Sequence, residues 1–448
     1  MRLNRVTQGL KPEILAKLEY LNPGGSVKDR VGISMIEAAE REGVIRPGFT
    51  LVEPTSGNTG VGLALAAAVK GYTMLFTVPD KMSKEKIDLL RAFGAKVVVT
   101  PTAVPHDHPS SNLSVAKRIA RETPNAFVLN QYFNRANPDA HYRTTGPEIW
   151  KQTKGRVDVL VAGMGTGGTI TGTARYLKEK NPAIKAVGVD PEGSIFRQVY
   201  EGRAGDPHIY RVEGIGEDFI PPTLDLGVVD DVRTVGDKEA FLMARRLAKE
   251  EGLFAGGSSG AAMAAALQVA EELPAGKTVV VILPDTGRNY VDRLYSDEWM
   301  TEHGYIESDG AGIPVSGIIE SKRQGALVWV SPDDDVETAI GLMKRNGISQ
   351  LPVLQAGVQV GSLRELKLAK ALASKEFTLR QKVGKAMEDP LPSVGKGDSL
   401  SNPYFVLKEK GAAVVTNDGL VQDIFTASDV VEYLTREENR SKVGDESK

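Results

Sequence analysis

One amine stands where chemistry could be done with it. The stretch Asn22-Pro23-Gly24-Gly25-Ser26-Val27-Lys28-Asp29-Arg30 sets Lys28 where a glycine-rich loop turns into a helix. Glycines let the backbone approach a ligand, Ser26 can cap the helix, and unpaired N–H groups at a helix start favour an anion. A lysine so placed can attack a carbonyl. Three further loops carry matching chemistry. Thr55-Ser56-Gly57-Asn58-Thr59-Gly60 gathers hydroxyls and an amide before a helix, where a carboxylate would be held. Gly163-Met164-Gly165-Thr166-Gly167-Gly168-Thr169 reads as a phosphate cradle, and Gly256-Gly257-Ser258-Ser259-Gly260 offers hydroxyls on glycine backbone.

The second of these loops also fits a dinucleotide fingerprint through Gly163, Gly165 and Gly168, with Asp190 ending the next strand. A nicotinamide-linked oxidoreductase is therefore a second reading. It leaves Lys28, the Thr55 loop and the Ser258 loop without a role. A reactive lysine, a carboxylate loop, a phosphate loop and a neutral hydroxyl together are what a pyridoxal phosphate enzyme acting on an amino acid requires.

The elements that would position these loops alternate in type. Short apolar runs at Thr50 to Glu53, Thr73 to Val78, Ala95 to Val99, Val157 to Ala162, Lys185 to Asp190 and Thr278 to Leu283 read as strands. Between them, Val61 to Lys70, Lys84 to Phe93, a segment ending near Lys180, and Ala261 to Glu272 read as helices. That is βαβ grammar, and it predicts an α/β fold with a mostly parallel sheet that binds ligands at the carboxyl ends of its strands.

Composition narrows the chemistry further. The 448 residues are 41% hydrophobic and 25% charged, which is enough for about three domains, and the formal charge is -3 without a basic face. Nucleic-acid and membrane partners are not expected, and the chain reads as cytoplasmic. The absence of cysteine removes thiolate nucleophiles, disulfides and Cys-ligated metals. His106 and His108 read as a surface loop, so no metal is expected.

The motifs resemble a known family. Asn22 to Arg30, Glu53 to Gly60, Gly165 to Thr169 and Gly214-Ile215-Gly216 resemble the fold-type-II pyridoxal phosphate enzymes of cysteine synthase and cystathionine β-synthase, from about residue 3 to residue 303. The resemblance implies two open, twisted α/β subdomains binding pyridoxal 5'-phosphate. It makes Lys28 the Schiff-base lysine and general base, Asn58 the partner of the pyridine hydroxyl, and Gly165, Thr166, Gly167, Gly168 and Thr169 the phosphate loop. Ser258 would face the ring nitrogen. Thr55, Ser56, Thr59 and Gln131, with Gly214 beside them, would bind the substrate carboxylate. The implied reaction is β-replacement through an aminoacrylate.

Two activities of the family differ in leaving group and nucleophile. One joins serine, or an activated serine, to homocysteine; the other joins O-acetylserine to sulfide. Asp218 in the Glu213 to Pro221 stretch, Leu283 to Tyr290, and Ser296 to Met300 look like the first form. His141 to Glu148 leans toward the second. Glu217 stands where the animal enzymes tend to carry tyrosine, so no role transfers to it. The family's Gly-Asn-Thr-Pro segment is not found before the first strand, and a truncated start is expected. The animal haem-binding extension is not found either.

After a linker over 304–326, the stretch 327–436 shows a weak internal repeat. Val336 to Asn346, Gln350 to Leu354 and Gln359 to Leu363 are echoed by Leu400 to Lys410, Ala412 to Val415 and Val421 to Phe425. The pair resembles a tandem CBS-domain (Bateman) module of α+β type, which implies an adenosyl effector such as S-adenosylmethionine. Only the second unit keeps the threonine and aspartate of that site, as Thr426 and Asp429; Arg364 and Lys367 occupy the matching positions in the first. The module favours the serine–homocysteine activity. The catalytic region is expected at 1–303, a disordered tail at 437–448, and a homodimer or homotetramer as the assembly.

Overall fold

The structure is a computed structural model of the chain, and it describes all residues except 56, 81, 83, 102, 103, 105–107, 307–311, 323–326, 401–405, 408, 409, 418 and 446–448; from 437 to 445 it describes backbone alone. Two units emerge, Met1–Ser296 and Asp297–Lys448. No described helix is long and apolar enough to cross a membrane.

The first unit holds two parallel sheets, the two α/β subdomains that the family resemblance implies; the strand pattern by itself suggests one sheet. Its strands are β1 (Glu13–Leu18), β2 (Thr50–Glu53), β3 (Thr73–Pro79), β4 (Lys96–Thr100), β5 (Ala126–Val128), β6 (Val159–Gly163), β7 (Lys185–Pro191), β8 (Asp231–Val235) and β9 (Thr278–Leu283). Five of them order as β1-β9-β6-β7-β8 and four as β4-β3-β2-β5. The split follows from β1, which runs parallel to β9 from Glu13 beside Thr278 to Leu18 beside Leu283. That pairing closes the larger sheet across the whole unit and leaves residues 50–128 to form their own. β9 is buried at every position, as a central strand covered on both faces must be. Separate apolar cores stand behind each sheet, one around Phe76, Leu51 and Met35, the other around Phe196, Leu160 and Ile170.

Four helices begin at the loops singled out above: α1 (Lys28–Arg41), α2 (Asn58–Lys70), α3 (Gly168–Lys180) and α4 (Gly257–Glu271). Two start earlier than their apolar patterns suggest. Asn58, Thr59 and Gly60 form the first turn of α2, and Ser258 and Ser259 lie in the first turn of α4. Extended backbone at Gly57 and Gly256 supplies the turn into each helix.

The segment before α1 is sewn to the end of β9. Ser26 and Asp285 form an antiparallel bridge, Val27 N donates to Pro284 O at 2.8 Å, and Thr286 N donates to Gly25 O at 3.1 Å. The Ser26 hydroxyl accepts from Lys28 N at 3.2 Å, although the N-cap position itself is Val27, which offers no side-chain cap where Ser26 was expected to supply one. α1 and α2 then touch backbone to backbone, because a Cβ on Gly62 would collide with the Lys28 carbonyl and one on Gly32 with Gly62. One turn into α1, Arg30 holds Glu19 at 2.7 and 3.0 Å and Glu148 at 2.7 and 2.8 Å, and Glu19 is 1% exposed.

The second unit repeats a motif. Helix Val336–Asn346 is followed by the antiparallel strands Gln350–Gln355 and Val358–Arg364 and by helix Glu365–Ala373. Val330 bridges Val353 in parallel beside the first hairpin. In the second copy Ser393–Gly395 pairs in parallel with Ala412–Asn417, which runs antiparallel to Leu420–Thr426 before helix Ala427–Asp445. The helix expected over Leu400 to Lys410 lies largely outside the described residues. The final helix continues to Asp445, through most of the tail expected to be disordered from 437. Glu, Arg and Lys are good helix formers, and Arg436 pairs with Glu432 one turn back.

Replacing Arg30 by alanine would strand the buried Glu19 carboxylate and loosen the first turn of α1. Urea denaturation should then show a loss of about 3 kcal/mol.

Candidate active site

Lys28 heads a cavity whose lining includes Asn58, Gly165, Thr166, Gly167, Thr169, Gly214 and Ser258, together with Asp285. Eight residues predicted from the sequence are thus brought together from α1, α2, the β6–α3 loop, the Gly214 turn and α4. Gly168 begins α3 directly behind this lining. Thr59 and Gln131 meet each other, hydroxyl to side-chain oxygen, at 2.7 Å. Thr55 N donates to Glu53 O at 3.1 Å. Ser56 lies outside the described residues.

The Lys28 ammonium has no hydrogen-bonded or ion-paired partner among the described residues. Burial pushes its pKa below the usual lysine value, against the opposing pull of the Asp285 and Glu217 carboxylates. Asp285 is buried, and its Oδ2 accepts from Asn58 Nδ2 at 2.8 Å and from the Tyr290 hydroxyl at 2.7 Å. Among the described residues its Oδ1 has no partner. Burial raises this carboxyl, while Tyr290, Asn58 and Lys28 hold it back.

The glycine loop leaves room for an anion. A Cβ on Gly165 would stand 2.8 Å from the Gly214 carbonyl, and Gly167 takes φ +78°, a left-handed conformation that favours glycine. Thr166 is fixed by Asn137 Nδ2 at 2.9 Å, which also donates to Gln131 O at 3.1 Å. His141 is wedged between Thr145 at 2.9 Å and Thr169 at 3.3 Å. Burial, followed by the Lys28 and Arg30 charges, pushes His141 down to about 3, so it is neutral at pH 7. Across the cavity Ser258 is 3% exposed and presents a hydroxyl rather than a charge.

Glu53 holds the far loop. Its buried carboxylate accepts from Asn130 N at 2.7 Å and Gln131 N at 2.9 Å, and burial still pushes it up to about 7. Sequence reasoning missed Glu53, Asn137, His141, Asp285 and Tyr290 as site residues. Asp285 was findable, since it lies two residues past the carboxyl end of β9, where parallel sheets present their ligand groups. Asp190 of the dinucleotide reading is turned to structure instead, with Oδ2 accepting from Arg197 N at 2.8 Å. His108 Nδ1 accepts from Ser110 N, and His106 lies outside the described residues.

This donor set fits a phosphorylated pyridine aldehyde: a buried, unpartnered amine for the carbonyl, a loop of glycines and threonines lining the cavity for the phosphate, and a neutral hydroxyl for the ring. Comparison with known proteins agrees. The model of the pyridoxal-phosphate dependent enzyme family matches residues 1–285, and that of the CBS domain matches 324–374. A cystathionine beta-synthase of Rattus norvegicus is 44% identical over 93% of this chain and 76% of its own length. One from Dictyostelium discoideum is 41% identical over 98% of this chain and 91% of its own. A solved structure of a hydrogen sulfide-producing enzyme from Fusobacterium nucleatum is 39% identical, with TM-score 0.60, over 64% of this chain and 93% of that one.

His141 also sets an acid sensitivity. Its pKa falls from 6.5 when unfolded to about 3 when folded, so the unfolded chain binds the extra proton between those values. Stability from this group is full above pH 6.5 and declines as the pH falls toward 3. Melting temperatures of the wild type and His141→Gln across pH 4 to 7 should show a shallower acid loss in the variant.

Proposed function

Because the chain belongs to the pyridoxal-phosphate dependent enzyme family, alongside the cystathionine beta-synthases, we propose that it performs β-replacement, condensing L-serine or an activated serine with L-homocysteine to give L-cystathionine. The observation that carries this reading is the buried, unpartnered Lys28 amine at the head of a cavity shared with the glycine loop and Ser258. In it Lys28 would hold the carbonyl of pyridoxal phosphate, Gly165 to Thr169 its phosphate, Asn58 its ring hydroxyl and Ser258 its ring nitrogen. Once bound, the cofactor supplies an electron sink that acidifies the α-proton of an amino acid and eases loss of its β-substituent.

The chain's own groups do the rest. Thr55, Ser56, Thr59 and Gln131, beside Gly214, orient the substrate carboxylate. Lys28 Nζ, freed by the substrate amine, would take the α-proton, and burial lowers its pKa in the direction that favours the free base. It then carries that proton to the departing β-group. A neutral Ser258 leaves the ring nitrogen without a charged partner, which favours elimination over reactions that accumulate negative charge on the ring.

The CBS domain is a regulatory ligand-binding module, and the proposal extends to one adenosyl site in it. Thr426 Oγ1 donates to Asp429 Oδ2 at 2.8 Å, so the pair is already aligned. In the first repeat Arg364 lies 2.7 Å and Lys367 3.4 Å from Glu388, an ion-pair cluster in place of such a pair. S-adenosylmethionine is the expected effector, and a cytoplasmic homodimer or homotetramer the expected form. A second reading, sulfide as nucleophile with O-acetylserine, is favoured by the His141 to Glu148 stretch.

A paired turnover assay on the holoprotein separates the two: serine with homocysteine against O-acetylserine with sulfide, each with and without S-adenosylmethionine. Faster cystathionine formation is expected, and a wide margin for sulfide would overturn the assignment.

A further inference from the structure

The loop that carries Gln131 and the loop that carries Thr166 follow strands of different sheets, β5 and β6, and one buried side chain joins them. Asn137 stands at the start of helix Ala136–Arg143 and is 1% exposed. Its Nδ2 donates to Gln131 O at 3.1 Å and to Thr166 Oγ1 at 2.9 Å, so both amide hydrogens are committed. Thr223, also buried, spans the same two loops, with its hydroxyl 2.5 Å from Thr166 O and 3.0 Å from Tyr132 O.

Chemistry fixes the direction of the Asn137 bonds. Gln131 O is a carbonyl oxygen and can only accept, so the amide must turn its nitrogen toward it, and the same nitrogen then faces Thr166. A threonine hydroxyl carries one hydrogen. When its oxygen accepts from Asn137, that hydrogen is left to donate elsewhere, and Thr166 lines the cavity. The fit against the glycine loop is close, because a Cβ on Gly168 would stand 1.9 Å from Asn137 Oδ1.

The Gln131 end is ordered in the same way. Gln131 Oε1 accepts from Thr59 Oγ1 at 2.7 Å, which makes its Nε2 the end that can donate to a carboxylate. We propose that Asn137 is a positioning residue that aims the Thr166 hydroxyl at the cofactor phosphate and, through the same amide, holds Gln131 at the substrate carboxylate. One side chain thereby sets the seats of both ligands. This rests on the β-replacement reading above for what those ligands are.

The test is reconstitution of the full-length apoprotein with pyridoxal phosphate and, separately, with pyridoxal, which has the same aldehyde and no phosphate. Asn137→Ala should raise the dissociation constant for pyridoxal phosphate about tenfold and that for pyridoxal by less than about twofold. Thr166→Val should show the same selectivity. The double variant should lose no more than the larger single change, because Asn137 acts through the Thr166 hydroxyl. With cofactor saturating, Asn137→Ala should also raise the KM for L-serine more than it lowers kcat. Should that protein not fold, Asn137→Ser, which keeps a donor, should show the same selectivity at smaller size. An equal loss for the two aldehydes, or losses that add in the double variant, overturns the inference and leaves the β-replacement reading intact. A wild type that holds pyridoxal phosphate tightly but forms no cystathionine overturns that reading alone. One that binds pyridoxal phosphate no more tightly than pyridoxal removes the phosphate seat and the inference with it.

Discussion

Everything in the first unit converges on keeping one amine buried and unpaired. An ammonium loses several kcal/mol of hydration when it leaves water, so burial favours the neutral amine, which is the form able to attack a carbonyl. Lys28 sustains that position because its loop is bonded to the end of β9 through Ser26 and Asp285, and because α1 lies against α2 at Gly32 and Gly62. The sheet edge, the loop and the helix crossing act as a single support. Arg30 ties the same helix to Glu19 and Glu148.

The titratable groups around the amine are poised unevenly. Among the described residues Asp285 keeps one oxygen bonded to Asn58 and Tyr290 and one without a partner, and its burial favours the protonated form. Glu53 is pushed to about 7 while anchoring the Gln131 loop, and His141 to about 3 beside Thr169. A neutral imidazole next to the phosphate loop adds polarity without an extra charge near Lys28. The site therefore keeps few fixed charges, and those of its ligands stand out by contrast.

Much of this was legible in the sequence because glycine, hydroxyl and lysine types recur only where strands end and helices begin. Lys28, Asn58, Gly165, Gly167 and Ser258 meet in one cavity, and β9 and the helix Val336–Asn346 match their expected bounds. The division into two sheets is implied by the family resemblance and does not show in the strand pattern itself. It depends on β1, whose run Glu-Ile-Leu-Ala-Lys-Leu carries charges at Glu13 and Lys17 and gives no sign that its partner begins at residue 278. The early starts of α2 and α4 were missed because apolar periodicity marks a buried face, whereas a first turn facing a ligand is polar. His141 was missed because its role lies in its contacts with Thr145 and Thr169, and for Asp285 the strand-end position is readable from the sequence whereas the contact with Asn58 is not.

The central claim is that the amine of Lys28 carries the cofactor. Reducing the holoprotein with borohydride, digesting it and mapping the mass of the retained group tests this directly. The account predicts a pyridoxyl adduct on the peptide bearing Lys28 and on no other lysine. An adduct at a different lysine, or a cofactor released intact after reduction, would contradict it.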